Sequence, residues 1–320
     1  MRRDDNIVKT KESIEVKKKS TQKWPKVAII ILNWNGWKDT IECLESVFRI
    51  DYPNYQVIVV DNGSTDDSVE HIRKAHPREK LLETGKNLGW SGGNNVGIKY
   101  ALEQEADYIL LLNNDVKVES GTITAMVEVA QESKASIVGS VVKDAFSGEI
   151  LFTHSRYPWM LFVSELQKHR ISSSRWWNSD QVEGSSMLLS RELLIERAEE
   201  PGYFLDESLF LYCEEIEIGI WCKRNDRKIV IARDSIVFHK VATSSGGKRN
   251  PLSFYYLTRN RILLAHRYLH GLIRIAFEIF FPLLRVARAA MYLAKGHYEI
   301  SEAILQGLAD GFRGRTGPKL

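Results

Sequence analysis

The sequence predicts a protein of the α/β class, with a doubly wound, mostly parallel sheet followed by a C-terminal amphipathic helical segment. Strand patterns alternate with helical patterns from Val27 onwards, the strands are uninterrupted apolar runs, and polar residues stand where those runs end. Alternating strands and helices are typical of a parallel sheet covered by helices on both faces. Ligands of such sheets bind beyond the carboxyl ends of the strands, so the polar strand ends predict where a site lies.

The first elements follow one another regularly. A buried strand is predicted over 27–33, because "VAIIILN" is apolar throughout. Apolar residues at helical spacing predict a helix over 37–50, and "YQVIVV" predicts a second buried strand over 55–60. A helix over 66–76 ends before Pro77. Two strand–helix units are therefore expected at the start of the fold.

A glycine-rich stretch separates the next elements. It follows a short strand predicted near Leu81, and it precedes a helix over 94–104 and a buried strand over 107–112. The stretch contains neither GxGxxG nor GK[ST], which argues against a dinucleotide-binding fold and against a P-loop. Its glycines are expected to let the backbone approach a ligand closely. Residues 143–185 lack a clear period, and short strands mixed with loops are expected there.

The composition is ordinary for a globular protein: 320 residues, 44% hydrophobic and 27% charged. Three cysteines form no CxxC or Cys/His pattern, which favours a reducing compartment and argues against a zinc site or a disulfide framework. Residues 1–25 are polar and lysine-rich, without the apolar segment of a secretory signal. They are predicted to be a disordered basic tail.

The net charge of +3 is unevenly distributed. Residues 1–26 hold nine Lys/Arg and four Asp/Glu, and residues 259–320 hold ten against four, so the middle of the chain is acidic. An acidic middle argues against nucleic acid as a partner. Basic ends favour contact with an anionic membrane surface, although a solvated tail is the alternative interpretation of the N-terminal segment.

Seven short motifs, each weak alone, follow one another between residues 31 and 264. They are "ILNWNG" (31–36), "VDNGSTD" (60–66), "NLGWSGGNNVGI" (87–98), "LLLNNDV" (110–116), "FLDESLFLYCEEIEIG" (204–219), "FHKVATSSGG" (238–247) and "YYLTRNRILL" (255–264). In this order and spacing they resemble the family 2 glycosyltransferases over residues 26–265. The resemblance is strongest to the rhamnosyltransferase-like branch that builds bacterial surface polysaccharides.

The resemblance implies a GT-A-type, Rossmann-like catalytic domain over 26–250 and a C-terminal helical region over 251–320 that is a candidate for membrane association. It implies inverting transfer of a sugar, rhamnose or a similar one, to a saccharide or lipid-linked saccharide acceptor. Expected donors are dTDP-rhamnose or a UDP- or GDP-sugar. The expected cofactor is Mg²⁺ or Mn²⁺, because a divalent ion offsets the charge that develops on a leaving diphosphate. The expected location is cytoplasmic, peripheral on the inner face of the cell membrane.

The same resemblance assigns nucleotide-sugar binding to polar residues at the strand ends, in the glycine-rich stretch and in the last motif. These residues are Asn33, Trp34, Asn35, Asp61, Asn62, Asn94, Asn95, Asn113, Asn114 and Arg259. Two alternatives remain open. The loop after Asp61 is equally typical of an Asx turn that caps the following helix, and Arg259 is equally suited to anchoring its own helix.

The metal is expected at Asp115 and His239. The family's usual Asp-x-Asp becomes Asn-x-Asp at residues 113–115, which leaves one carboxylate at the strand end. One carboxylate with diphosphate oxygens suffices for Mg²⁺, which keeps waters and takes few protein ligands. A simple turn is the alternative for 113–115, and a structural role is the alternative for the histidine.

The catalytic residues are expected in the run Glu214-Glu215-Ile216-Glu217, where the family has Glu-Asp and then Asp. By resemblance Glu215 stands at the position of the base, with Glu214 beside it. The alternative is an acidic first turn of a helix over 214–224, favoured by the helix dipole, and it suits Glu217 best. Trp221 stands where the family often has Arg.

Residues 262–295 are strongly apolar but contain no uncharged run of about 18 residues, so a membrane-spanning helix is not expected. Their charges fall on one narrow helical stripe: Arg267, Arg274, Glu278, Arg285 and Arg288. The remaining apolar face either packs on the catalytic domain or on another subunit, as in a homodimer, or lies in a membrane interface with the arginines towards lipid phosphates. Pro282 is expected to kink the helix or to begin a second one.

Two functions compete at this point. One is an inverting, metal-dependent glycosyltransferase of surface polysaccharide synthesis. The other is a catalytically weakened relative that serves as a binding or assembly subunit of a polysaccharide machinery, suggested by Asn113 and by the Glu-Glu run. A processive synthase is disfavoured, since no Gln-x-x-Arg-Trp follows the acidic motif.

Overall fold

The structure is a computed structural model that describes residues 24–156, 165–167, 173–240 and 250–319. Its strands are β1 (Val27–Asn33), β2 (Tyr55–Asp61), β3 (Lys80–Glu83), β4 (Tyr108–Asn113), β5 (Val116–Val118), β6 (Ile137–Asp144), β7 (Ile150–Phe152), β8 (His154–Arg156), β9 (Glu165–Gln167), β10 (Trp176–Asn178), β11 (Ser186–Ser190) and β12 (Ile229–His239). Its helices are α1 (Trp37–Val47), α2 (Ser68–Ala75), α3 (Gly89–Glu103), α4 (Thr122–Ser133), α5 (Arg191–Glu199), α6 (Glu214–Arg224), α7 (Pro251–Tyr268), α8 (Gly271–Ala294) and α9 (Tyr298–Phe312).

The main sheet has the strand order β10-β12-β6-β11-β4-β1-β2-β3, with β5 beside β12 and β7 beside β6. The half formed by β4, β1, β2 and β3 is parallel, as the sequence predicts. In the other half β12 is parallel to β6, whereas β11 is antiparallel to both β4 and β6. The predicted α/β class is confirmed, and the reversed strand β11 is a feature that the sequence pattern did not show.

Parallel pairing brings the polar strand ends to one edge of the sheet. The apolar residues of β1, β2 and β4 are buried, which explains their continuous hydrophobic runs. In the register of the sheet Asn33 pairs with Asp61, and Asn113 pairs with Leu32. The predicted edge of polar residues is therefore formed by three neighbouring strands.

Part of the glycine-rich stretch belongs to helix α3, whereas the sequence predicts a helix only from residue 94. Helix α3 begins at Gly89, five residues before the predicted start. A Cβ atom at Gly93 would lie 2.4 Å from Cδ1 of Leu32, and one at Gly97 would lie 2.7 Å from Cγ2 of Ile30. These two glycines let the helix approach strand β1, not a ligand.

The C-terminal helices share a core with the segment that leads into α6. Leu209, Cys213 and Ile216 pack in one buried cluster with Phe277 and Phe281 of α8. The start of α6 is therefore held between the sheet and the C-terminal helices. The predicted domain division at residue 250 stays a prediction, and most of the predicted N-terminal tail lies outside the described residues.

Helix α8 presents its apolar face to the outside. Large hydrophobic side chains are exposed along its length: Leu272, Ile273, Ile275, Ile279, Phe280, Leu283, Leu284, Val286, Met291 and Leu293. Phe277 and Phe281 of α8 pack on the segment that leads into α6, whereas this face is exposed within the described part of the chain. The helix continues through Pro282, whereas Arg267 belongs to α7, so the predicted charge stripe is divided between two helices.

The charged side of α8 contacts the protein instead. Arg285 is buried, and Arg274 pairs with Glu278 and also reaches the carbonyl oxygen of His266. The idea of an external arginine stripe facing lipid phosphates is therefore wrong for Arg285. No helix in the described part of the chain is long and apolar enough to cross a membrane.

Candidate active site

Asn33 is a buried residue that holds the strand ends together. Its Nδ2 donates to Oδ1 of Asp61 at 2.8 Å and to Oγ of Ser64 at 3.1 Å, and its Oδ1 accepts from Oγ1 of Thr40 at 2.7 Å. Asn114 completes this group, because its Nδ2 donates to Oγ1 of Thr40 at 3.1 Å. We call Asn33, Thr40, Asp61, Ser64 and Asn114 the strand-end platform. Their side chains bond to one another and so have a structural role, and the predicted ligand contacts of Asn33 and Asn114 stay predictions.

The loop after Asp61 is an Asx turn, as one of the two alternatives expected. Oδ2 of Asp61 accepts from the backbone N–H of Ser64 at 3.0 Å, and Oδ1 of Asp66 accepts from that of Ser68 at 3.1 Å at the start of α2. Asn35 joins the same loop, since its Oδ1 accepts from the N–H of Thr65 at 2.8 Å. The roles of Asp61 and Asn35 towards a nucleotide stay predictions.

Trp34 differs from its buried neighbours, because its side chain is 48% exposed. It lies between Asn33, which is buried, and Asn35, whose side chain is engaged with the loop. An exposed aromatic ring at the carboxyl edge of a sheet is available for stacking on a base. The predicted contact of Trp34 with the nucleotide sugar stays a prediction.

Asn62 and Asn94 stabilise the start of α3. Nδ2 of Asn62 donates to the carbonyl oxygen of Gly89 at 3.0 Å, and its Oδ1 accepts from the N–H of Leu88 at 3.0 Å. Nδ2 of Asn94 donates to the carbonyl oxygen of Trp90 at 2.9 Å. Both side chains are buried and hold the backbone of this turn, and their predicted contacts with the nucleotide sugar stay predictions.

Asn95 and Arg259 also bind backbone, and their predicted ligand roles stay predictions. Nδ2 of Asn95 donates to the carbonyl oxygen of Leu205 at 2.9 Å, and its Oδ1 accepts from the N–H of the same residue at 3.0 Å. Arg259 is fully buried, and it donates to the carbonyl oxygens of Leu209 at 2.8 Å and Gly317 at 2.6 Å. An arginine with these bonds anchors its helix, which is the alternative left open by the sequence.

Asn113 lies at the end of β4, and the carbonyl group of its side chain points at α3. Its Oδ1 accepts from Nε1 of Trp90 at 3.0 Å, and its backbone N–H donates to the carbonyl oxygen of Ser185 at 3.0 Å. The side chain is half-buried, unlike that of Asn114. The predicted contact of Asn113 with the nucleotide stays a prediction.

The two predicted metal ligands meet in the structure. Strand β12 pairs with β5 so that His239 lies opposite Val116, and this places Nε2 of His239 3.2 Å from Oδ1 of Asp115. Burial lowers the pKa of His239, but the bond with Asp115 and the charge of Glu183 outweigh it and raise this pKa to about 9. Nδ1 of His239 lies 3.6 Å from Oε1 of Glu183.

Asp115 and His239 would fit a divalent ion if the metal displaces the proton of His239, with the other ligands coming from the substrate. A carboxylate and an imidazole are a donor pair suited to Mn²⁺, and the carboxylate is suited to Mg²⁺. Among the residues that the structure describes, no three His, Cys, Asp or Glu side chains are grouped to hold a metal by themselves. A metal at this place therefore needs diphosphate oxygens and water to complete its coordination.

Glu183 is a site residue that sequence reasoning missed. It precedes the antiparallel strand β11, in the stretch without a clear period, and it lies between His239 and the start of α6. Its Oε2 accepts from the backbone N–H of Ser185 at 2.9 Å, which fixes the carboxylate near the carboxyl edge of β4. No motif in the sequence marks this position.

Glu214 and Glu215 differ in environment although they are adjacent. Glu214 is buried, its Oε1 has no hydrogen-bond partner in the described residues, and burial raises its pKa well above 4.5. Glu215 is half-buried, and burial raises its pKa to about 7; the charge of Glu183 adds to this rise, while its own backbone bond and Arg261 oppose it. A carboxyl group with this pKa exchanges a proton near neutral pH, whereas Glu214 favours its protonated form.

The comparison with known families agrees with this arrangement. Residues 28–197, more than half of the chain, match the family model described as "Glycosyl transferase family 2". The chain belongs to glycosyl transferase family 2. The resemblance stated from the seven motifs is thereby confirmed, and the protein is a glycosyltransferase.

Relatives and solved structures of this glycosyltransferase confirm the predicted branch and the GT-A-type fold. It is 24% identical over 300 residues to dTDP-rhamnosyl transferase RfbF of Shigella flexneri, covering 90% of this chain and 96% of that one. It is 25% identical over 219 residues to N-acetylglucosaminyl-diphospho-decaprenol L-rhamnosyltransferase of Mycobacterium tuberculosis, covering 62% and 69%. Mannosyltransferase PcManGT from Pyrobaculum calidifontis, solved in complex with GDP-Man and Mn²⁺, superposes with a TM-score of 0.57 at 15% identity, covering 90% and 87%.

Glu217 of this glycosyltransferase lies in the acidic first turn of α6, which is the alternative that the sequence left open for it. It is fully buried, and its Oε2 lies 2.6 Å from Nη2 of Arg197. The hydroxyls of Tyr203 and Tyr268 donate to its Oε1 at 3.0 Å and 2.6 Å. The guanidinium of Arg197 lies 5.1 Å from the ring centroid of Trp221, so the tryptophan where the family often has Arg packs on an arginine from α5.

Proposed function

We propose that this glycosyltransferase moves rhamnose or a similar sugar, with inversion, from a nucleoside diphosphate donor to a saccharide carried on a lipid in surface polysaccharide synthesis. The observation that carries the proposal is the row of Asp115, His239, Glu183 and Glu215 at the carboxyl edge of the sheet. The end formed by Asp115 and His239 suits a diphosphate with its metal, and the end formed by Glu215 suits proton removal from an acceptor.

The proposed reaction is a single displacement at the anomeric carbon. Glu215 accepts the proton of the acceptor hydroxyl as its oxygen forms the new glycosidic bond, and the bond to the nucleoside diphosphate breaks on the opposite side. Asp115 and His239 would hold Mg²⁺ or Mn²⁺, which supplies positive charge for the departing diphosphate. The strand-end platform keeps this edge of the sheet fixed, so that both ends of the row remain in place.

The donor is supported by the exposed ring of Trp34 and by the name of one relative. The ring of Trp34 is exposed beside the Asp61 loop, where a base and a ribose would be bound in this interpretation. The Shigella flexneri relative is named a dTDP-rhamnosyl transferase. We therefore rank dTDP-rhamnose first, ahead of UDP- and GDP-sugars.

The acceptor and the location are supported by the exposed apolar face of α8. A contiguous apolar surface on a helix marks contact with a membrane or with another protein. The Mycobacterium tuberculosis relative is named for a diphospho-decaprenol acceptor. We therefore propose a lipid-linked acceptor and a peripheral position on the inner face of the cell membrane, and a homodimer through α8 is the competing interpretation.

The experiment is transfer by the purified protein with dTDP-rhamnose, UDP-sugars and GDP-sugars, with a decaprenyl-diphosphate-linked saccharide as acceptor. We expect one donor to react, only when Mg²⁺ or Mn²⁺ is present, and the product to have the anomeric configuration opposite to that of the donor. No transfer from any donor, together with binding of the acceptor, would favour the alternative of a binding or assembly subunit. Retention of configuration would contradict the role of Glu215.

A further inference from the structure

Helices α7 and α8 run antiparallel, and a row of contacts joins them. Arg274 reaches the carbonyl oxygen of His266 at 3.4 Å. Further along, Nε and Nη2 of Arg285 both donate to Oγ1 of Thr258, at 3.0 Å and 2.6 Å. Arg285 is only 8% exposed, so this guanidinium is placed in the seam between the helices.

Two more arginines lie along the same seam. Arg261 is one helical turn from Thr258, on the same face of α7, and its Nε is buried without a hydrogen-bond partner in the described residues. Arg288 is one turn from Arg285, and its guanidinium lies 5.5 Å from the ring centroid of Phe254 on α7. We call Arg261, Arg285 and Arg288 the arginine cluster.

The arginine cluster holds three positive charges without a salt bridge in the described part of the protein. None of its three members forms an ion pair there, whereas Arg267 pairs with Asp206 and Arg274 pairs with Glu278. Burial, together with the charges of Arg261 and Arg288, lowers the pKa of Arg285 to about 10. Like charges held together in a partly buried place are unfavourable unless an anion joins them.

The arginine cluster lies between the proposed base and the apolar face of α8. Cys213, one residue before Glu214, packs in the cluster that contains Phe281, one turn from Arg285. The charge of Arg261 reaches Glu215, because it opposes the rise of that residue's pKa. On the outer side Leu283 and Leu284 are 62% and 57% exposed.

We propose that Arg261 and Arg288 of the arginine cluster bind the phosphate groups that join the acceptor saccharide to its lipid, while Arg285 stays bonded to Thr258 and the lipid chain lies along the apolar face of α8. Guanidinium groups bind phosphate oxygens through paired, charge-assisted hydrogen bonds, and two of them suit a diphosphate or a phosphate ester. The donor's diphosphate is assigned to Asp115 and His239, at the other end of the site. This inference rests on the proposed function and names the part of the acceptor that the enzyme recognises.

The test compares binding of the full-length protein to phosphatidylcholine vesicles that carry decaprenyl diphosphate, decaprenyl phosphate, or phosphatidylglycerol at equal negative charge. The variants are Arg261→Gln and Arg288→Gln, with Arg274→Gln as the matched control on α8. The control removes the same charge from the same helix, but from an arginine that already has a carboxylate partner. Arg261→Lys is added, because it keeps the charge and loses the bidentate geometry.

We expect Arg261→Gln and Arg288→Gln each to weaken binding to one of the two decaprenyl lipids about tenfold, the equivalent of about 1.4 kcal/mol. Arg274→Gln should bind like the unmodified protein, and Arg261→Lys should be intermediate. Selectivity for the diphosphate or for the phosphate ester identifies the group that is bound. Protection against unfolding by the nucleotide sugars should be unchanged in every variant.

Three results would overturn the inference: equal losses for Arg274→Gln, equal losses on phosphatidylglycerol vesicles, or loss of protection by the donor. The first two would show attraction to general negative charge, and the third would place the donor's diphosphate at the arginines. Selective lipid binding without transfer from any donor would overturn the proposed function and leave this inference standing. Transfer to a soluble saccharide without selective lipid binding would overturn this inference and leave the assignment as an active glycosyltransferase standing.

Discussion

The strand-end platform and the start of α6 are both rich in buried polar groups, but these groups differ in whether they have hydrogen-bond partners. In the platform each buried amide, hydroxyl or carboxylate bonds to a neighbour, as in the chain from Asn114 through Thr40 and Asn33 to Asp61. At the start of α6, Oε1 of Glu214 is buried without a hydrogen-bond partner in the described residues, and so is Nε of Arg261 on α7.

This difference separates residues that build the site from residues that act in it. Polar groups that satisfy one another rigidify a structure. Buried polar groups without partners are unfavourable, and they persist where a substrate or a proton supplies what is missing. We therefore expect substitutions in the platform to act mainly on stability, and substitutions near the row from Asp115 to Glu215 to act mainly on turnover.

The largest effect is expected for Asp115→Asn, which keeps the size of the side chain and removes its charge. Turnover should fall by at least about 10²-fold and lose its dependence on added Mg²⁺ or Mn²⁺, because the carboxylate is the anionic ligand. Asn113→Asp is the control, since it adds a charge two residues away and restores Asp-x-Asp. Full activity of Asp115→Asn in excess chelator would show that the reaction does not depend on a metal bound by Asp115.

Glu217→Gln should be the most destabilising single change near the site. It leaves Arg197 buried without its carboxylate, which typically costs about 3–5 kcal/mol of the free energy of unfolding. Glu45→Gln is the control, because the Glu45–Arg49 pair is exposed and such pairs contribute at most about 1 kcal/mol. Denaturant titrations of both variants measure the difference, and equal losses would show that burial of the pair is unimportant.

Much of this arrangement follows from local sequence, and the rest depends on contacts between distant residues. The runs of β1, β2 and β4 and their polar ends are visible because burial and strand ends leave local patterns. Glu183 is not visible, since its position depends on the reversed strand β11. The pair of Glu217 with Arg197 joins α6 to α5, and no period within either helix reveals it.

Thr40→Val tests the strand-end platform with a smaller effect. The hydroxyl donates to Asn33 and accepts from Asn114, so its loss leaves two buried amides partly unsatisfied and should cost about 1–3 kcal/mol of stability. Turnover at saturating donor should remain within about twofold of normal, since Thr40 touches no part of the proposed reaction. A large loss of turnover in a stable Thr40→Val variant would show that the platform takes part in catalysis and does not only stabilise the fold.

Leu283→Asp should have the smallest effect on folding and a clear effect on membrane binding. The side chain is exposed, so stability should change by no more than about 0.5 kcal/mol. Binding to anionic vesicles should weaken, whereas the control Ile195→Asp, an exposed site on α5, should bind normally. The alternative outcome is that the unmodified protein does not bind vesicles but forms a dimer in solution, and that Leu283→Asp converts this dimer to a monomer. That outcome would show that a second subunit, and not a membrane, covers the apolar face of α8.

We propose that Glu215 removes the proton from the acceptor hydroxyl, and the decisive measurement is the pH dependence of acceptor-dependent turnover. Because burial raises the pKa of Glu215 to about 7, the carboxylate form that accepts a proton is lost as the pH falls through that value. Turnover should therefore rise with pH through about 7 in the unmodified protein and in Glu214→Gln, which mimics a carboxyl that is already protonated. Glu215→Gln should lower turnover by about 10²- to 10⁴-fold, abolish this rise and leave donor affinity unchanged. A normal profile in Glu215→Gln, or its loss in Glu214→Gln alone, would contradict the account.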